Sequence, residues 1–218
     1  MALNKKHNPL YRGKNLVTLS NVGSMISDEF RTIRTNLKFL MEDQKNRIFL
    51  VTSPDSEEGK STIIANLAVS LAQQKDKVLL VDANLRDPVI HQVFKTSNKS
   101  GLADILKEKV TFQQAITLTD IEYLDLLTSG SDVSNPTELL GSKEMENLLE
   151  KVTAHYDIVL IDSPAILKYT ETRVLANRCE GTVLVLNRGR TEMKKVYETK
   201  RVLDLAHVNL MGFIFNEI

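Results

Sequence analysis

The sequence predicts a doubly wound α/β fold, a mostly parallel sheet with helices on both faces. Three observations lead there. Continuous apolar runs at Ile48–Val51, Val78–Val81, Ile158–Ile161 and Thr182–Asn187 have the length and composition of strands buried on both sides. Segments of helical period separate them, the pattern of right-handed crossovers. The first run leads through a polar turn into Gly59-Lys60-Ser61-Thr62 and an apolar helix, and two other runs end in an acid, Asp82 and Asp162. In such sheets ligands sit at the carboxyl ends of the strands. Lys60, Ser61, Asp82, Asp162, Asn187 and Asn216 are therefore expected along one edge.

Length and composition set the frame. With 218 residues, 42% apolar and 26% charged, the chain reads as one domain over 21–218 behind a flexible basic arm, 1–20. Basic and acidic residues number 28 each, which leaves no bulk field to recruit nucleic acid. The lone Cys179 excludes an internal disulfide, and no Cys/His cluster has zinc spacing. No stretch approaches the roughly 20 apolar residues of a spanning helix. A cytoplasmic protein is expected.

In chain order, the arm carries Lys5, Lys6, Arg12 and Lys14. Ser27 reads as an N-cap, followed by Asp28 and Glu29, for a helix to about Met41. Phe30, Ile33, Leu37 and Leu40 form its apolar stripe, and Arg31, Arg34 and Thr35 share another face. The helix after Gly59 runs to about Gln73. Past Asp82, Pro88 closes the turn ANLRDP. Short helices are expected from Leu102 to Glu108 and at Thr111, where Gln114 completes a capping box. Tyr123–Leu127 reads as a strand. Asn135-Pro136-Thr137-Glu138 starts another helix, and Ser142 a longer one to about His155. A helix from Thr170 or Glu171 to Arg178, a second from Thr191 to His207 and a last strand, Leu210–Phe215, complete the set.

The chemistry converges on the turn before the second helix. Strand, polar turn and helix N-terminus in that order point backbone N–H groups at an anion. Lys60 would reach the β/γ-phosphates and the Ser61 hydroxyl would ligate Mg²⁺. Ser56, Glu57, Glu58, Gly59 and Thr62, with Asn216 from the last strand, complete the candidate nucleotide-binding set. Pro54 stands where the usual phosphate-loop pattern has its first glycine. Asp162 is placed to hold the metal. Asp82 is the candidate base for an attacking hydroxyl, since phosphoryl transfer asks the protein mostly for positioning, metal and a proton acceptor. Capping of the following turn is the structural alternative for Asp82.

Taken together, SDEFRTIRTN, TSPDSEEGKST, LLVDANLRDP, GLADIL, LDLLTSG, NPTELLGS, YDIVLIDSP and MGFIFN resemble, in order and spacing, the bacterial tyrosine kinases of capsule and exopolysaccharide synthesis. These are the CpsD/CapB-like kinases, relatives of the MinD/ParA-type ATPases with a deviant phosphate loop. The resemblance implies an ATP- and Mg²⁺-dependent kinase that phosphorylates protein tyrosines on neighbours in a ring. It implies that Lys60 binds phosphate, that Ser61, Asp162 and Asp82 serve the metal, and that Asp82 activates the tyrosyl hydroxyl. It further implies that Asp28, Arg31 and Arg34 mediate oligomerisation. The implied partner is the cytoplasmic tail of a membrane protein that regulates polysaccharide chain length, which would tether the kinase peripherally to the membrane.

The departures from that family fall near the chemistry. Ser56 and Glu57 replace the Pro-Gly of the usual turn. A carboxylate facing the phosphates at about 6 Å would cost about 3 kcal/mol at an effective dielectric of about 20. Asn84, the remaining catalytic candidate, replaces the second acid of D-x-D-x-R. Asp28 stands for Glu, Ala165 and Glu171 for Pro and Asp, and Glu217 for Lys. No tyrosine-rich tail appears within these residues, which leaves Tyr11 and Tyr197 as candidate acceptors. Glu57 and Asn84 keep open a nucleotide-binding pseudokinase that scaffolds the export machinery. A MinD/ParA-like ATPase is the third reading, although Pro54–Glu58 lacks that class's signature lysine.

Overall fold

The computed structural model describes residues 16–40 and 47–217. The arm cluster Lys5, Lys6, Arg12 and Lys14, Tyr11, and the helix end expected at Met41 lie outside the described residues. Seven strands, β1 (Ile48–Thr52), β2 (Val78–Asp82), β3 (Thr117–Leu118), β4 (Leu124–Leu127), β5 (Ile158–Asp162), β6 (Gly181–Asn187) and β7 (Leu210–Asn216), form one sheet in the order β3-β4-β2-β5-β1-β6-β7. All neighbours are parallel except β3 and β4. Successive strand residues face opposite layers. Phe49 and Val51 pack into one core, and Ile48 and Leu50 into the other. Both faces are covered, so the strands are apolar throughout instead of alternating.

One layer holds α1 (Val17–Ser20), α2 (Met25–Leu40), α3 (Lys60–Ala72) and α4 (Ile90–Val93). The other holds α5 (Leu102–Leu106), α6 (Phe112–Ala115), α7 (Pro136–Leu140), α8 (Lys143–Thr153), α9 (Thr170–Ala176) and α10 (Met193–Leu205). The chain leaves β1 through α3 toward β2 and leaves β5 through α9 toward β6. These adjacent strands send their connections in opposite directions, which opens the crevice between their carboxyl ends.

Several boundaries differ from expectation for local reasons. Residues 16–20 belong to the domain: Thr18 is buried, its amide donates to Asn66 Oδ1 at 3.1 Å, and its hydroxyl donates to the same oxygen at 3.0 Å. Residues 16–20, expected in the arm, are instead held against α3. Ser24 caps α2 by accepting from the Ser27 amide at 3.2 Å, while Ser27 lies buried inside the helix and donates to Asn21 O at 2.7 Å. Leu40, expected in the apolar stripe, is exposed. Tyr123 adopts φ 66°, so β4 starts one residue later. Three small elements escape sequence reading, α1, β3 and α4. The capping boundaries at Thr111 and Ser142 are as expected: the Thr111 amide donates to Gln114 Oε1 at 2.9 Å, and Ser142 Oγ accepts from Met145 N at 3.4 Å. Among the described residues no helix is long and apolar enough to cross a membrane.

β7 closes one end of the sheet, and no described strand pairs with its outer side. Phe213 and Phe215 on it are exposed.

Candidate active site

The turn after β1 is fixed at both ends. Ser53 O accepts from the Ile166 amide at 3.0 Å, and α3 begins at Lys60 with Gly59 as its cap at φ 86°. A side chain at Gly59 would meet the left-handed backbone penalty and collide with Asn216 Nδ2. Asn216 in turn donates to Glu58 O at 3.0 Å, so the predicted contribution of the last strand is contact with the loop. Each loop residue from Asp55 to Glu58 has an outside partner. Asp55 pairs with Lys195 and, at 3.4 Å, with Lys168. Those lysines, the first the larger influence, hold its carboxyl below the usual range. Ser56 Oγ accepts from Lys168 Nζ at 3.2 Å, and Glu57 pairs with Arg190 at 3.1 Å. Glu58 Oε1 accepts from Thr191 Oγ1 at 2.7 Å, while its Oε2 is buried without a partner. Burial raises the Glu58 carboxyl against the opposing effect of Thr191.

Strand alternation places the two acids. Val78 and Leu80 of β2, like Ile158 and Leu160 of β5, face the α3 layer, so Asp82 and Asp162, two residues on, face it too. They are register partners in adjacent strands and wholly buried. Asp82 Oδ2 accepts from the Val89 and Ile90 amides at 3.2 and 3.0 Å, and Oδ1 from the Asn84 amide at 3.2 Å. The capping alternative is thus realised, and the same bonds fix the position of the carboxylate. Burial, then the facing Asp162, pushes its carboxyl up to about 8.

Asp162 differs. Both of its oxygens are buried and complete no hydrogen bond, while Lys60 and the Ser61 hydroxyl lie near enough to favour its charged form against burial. Charged groups of this kind are normally paired or bound to metal, so the orphaned carboxylate beside Ser61 fits a cation. Among the described residues no cluster of three or more acids, histidines and cysteines forms a metal cage. An ion here would need the Ser61 hydroxyl and ligand or water oxygens as well, the usual arrangement for Mg²⁺.

Lys60, Ser61, Gly59, Asn216, Asp82 and Asp162 therefore gather as expected. Asn84 does not join them: its Nδ2 donates to Asp87 O at 2.7 Å and its Oδ1 accepts from Asp87 N at 3.3 Å, so the side chain closes the turn after β2. Arg34 donates to Ser70 O at 2.6 Å and clamps α2 to α3 within the molecule, while Arg31 pairs with exposed Asp28 and donates to Val22 O at 2.7 Å. Asn187 anchors the turn after β6 through its amide and Thr191 Oγ1, at 2.8 Å. Sequence reading missed Lys168, Arg190, Thr191 and Lys195, which surround the loop. It also missed the role of Glu171, which is buried, bonded to Arg86 and within 3.0 Å of donor Thr137 Oγ1. Arg86 also lies 4.8 Å over the Tyr169 ring. An arginine after a strand-end acid was the available signal for that network.

A mostly parallel sheet, a glycine-capped helix after β1 and a strand-end acid beside it define a phosphate-loop NTPase fold. A family model described as an AAA domain matches residues 56–186. Tyrosine-protein kinase YwqD of Bacillus subtilis is 40% identical over 216 residues, covering 99% of this chain and 91% of that one. The solved kinase domain of Escherichia coli tyrosine kinase ETK superposes with a TM-score of 0.90 at 30% identity, covering 100% of this chain and 84% of that one. Of the whole tyrosine-protein kinase etk of E. coli K12 the chain spans 29%. MinD of Pyrococcus horikoshii, complexed with Mg-ADP, gives a TM-score of 0.66 at 27% identity over 78% of this chain and 70% of its own. The chain belongs to the bacterial tyrosine-protein kinases.

Proposed function

We propose that the chain transfers the γ-phosphoryl group of ATP to tyrosines of neighbouring or partner proteins, in the control of capsular or exopolysaccharide synthesis. The observation that carries this reading is the orphaned Asp162 carboxylate beside Lys60 and Ser61, facing Asp82 across one strand spacing. The loop amides and Lys60 hold the phosphates, and Ser61 and Asp162 would hold Mg²⁺. When bound, Mg²⁺ offsets phosphate charge as it builds up in phosphoryl transfer. Asp82, held by three backbone amides, accepts the tyrosyl proton at its carboxylate; a cation near Asp162 favours the ionised form that this needs.

The membrane activator is inferred from kinship with etk, in which the segment matching this chain is a minor part of a longer protein. Self-association through Asp28 and Arg31 is supported by their exposure on α2. The direct test incubates the chain with labelled ATP, Mg²⁺, a tyrosine-bearing partner and the cytoplasmic tail of a chain-length regulator. Label on tyrosine that disappears in Lys60→Met supports the proposal. ATP uptake without transfer, with or without the tail, favours the scaffold reading, whose structural support is the commitment of Asn84 to Asp87.

A further inference from the structure

The phosphate loop of this chain is acidic at Asp55, Glu57 and Glu58, yet it must admit a polyanion. Glu57 carries the difficulty furthest. Its φ of 61° is a conformation that favours glycine. Its side chain is turned outward, 78% exposed, and is met there by Arg190. That guanidinium touches the residue twice: Nη1 donates to Glu57 O at 3.3 Å and Nη2 to Glu57 Oε2 at 3.1 Å.

The mount that carries Arg190 is itself bonded in place. The Arg190 and Thr191 amides donate to Asn187 O at 3.1 and 2.9 Å, and the Thr191 hydroxyl bridges the Asn187 amide and Glu58 Oε1. Lys168 and Lys195 do the same service for Asp55 on the other side of the turn.

We infer that Arg190 is a positioning residue that holds the Glu57 carboxylate outside the phosphate cradle, so that a loop lacking the usual glycine still accepts a polyphosphate. An exposed ion pair contributes little to stability. Its effect lies in where the negative charge sits relative to the loop amides. Released from Arg190, the carboxylate is free to swing over the anion site and oppose the ligand. This rests on the nucleotide-binding reading above, and the experiment separates the two.

Calorimetry on the full chain measures Mg-ATP and, separately, inorganic pyrophosphate, for the parent, Arg190→Ala, Glu57→Gly and the double variant. Arg190→Ala is expected to weaken both ligands by about five- to tenfold, with less loss at high salt and an unchanged melting temperature. In the Glu57→Gly background the same substitution should change affinity by less than about twofold, because the charge to be restrained is gone. A loss of equal size in both backgrounds means that Arg190 touches the ligand directly and overturns the inference; so does Arg190→Ala without any effect. The expected coupling seen with pyrophosphate in a chain that ignores ATP would sink the nucleotide reading and leave this one standing.

Discussion

At the scale of single residues, two carboxylates share a buried site, and the sign of their pH dependence can be worked out. Asp82 has an ordinary value of 3.8 and is pushed to about 8 in the folded protein. The folded state therefore holds a proton over that window that the unfolded chain has released, and stability falls as pH rises through it. Asp162→Asn removes the facing charge at a position whose oxygens complete no hydrogen bond. Its stability relative to the parent should thus improve from pH 5 to pH 9, by on the order of 1 kcal/mol or more, while tyrosine phosphorylation is lost. Thermal melts across that range check this, and a gap independent of pH would refute the account of the pair. Gly59→Ala should cost about 1–3 kcal/mol and weaken ATP by more than tenfold, because φ 86° and the Asn216 amide both oppose a side chain. Unchanged ATP titrations would show that the turn tolerates what its geometry argues against.

At the scale of elements, the long pieces could be read because their signals are redundant. β2 and β5 are apolar at each position before their acids, β1 is apolar up to its terminal threonine, and α8 has both a serine cap and a periodic face. The same redundancy made Lys60, Ser61, Asp82 and Asp162 findable, since strand ends and a glycine turn mark them. β3 and α4 are too short to show a period; β3 exists because β4 offers it an edge, and α4 because Asp82 accepts its first amides. The bases around the phosphate loop were hidden for a different reason. Lys168 and Arg190 come from connections and Lys195 from the first turn of α10, all more than a hundred positions away, and a single charged residue has no local signature. The arginine pair on α2 shows the same limit, since spacing does not tell an inward clamp from an outward contact. Arg34→Ala should loosen α2 from α3 and cost about 1.5–3 kcal/mol, read by denaturant unfolding. A loss below about 0.5 kcal/mol would mean that the Ser70 contacts are incidental.

At the scale of the whole molecule, the outer face of α2 combines exposed Met25 and Ile26 with the Asp28–Arg31 pair, an apolar and charged surface suited to meeting another copy. If the kinase assembles there, Met25→Glu should reduce the mass seen by light scattering to that of one chain. Mass unaltered by that substitution would place any assembly elsewhere. The opposite border has a more practical bearing. Among the described residues no strand pairs with the outer side of β7, where the rings of Phe213 and Phe215 are exposed, and borders of that kind adhere to one another when crowded. Concentrated stocks should turn cloudy on storage, and a lysine in place of Phe215 should keep them clear for longer.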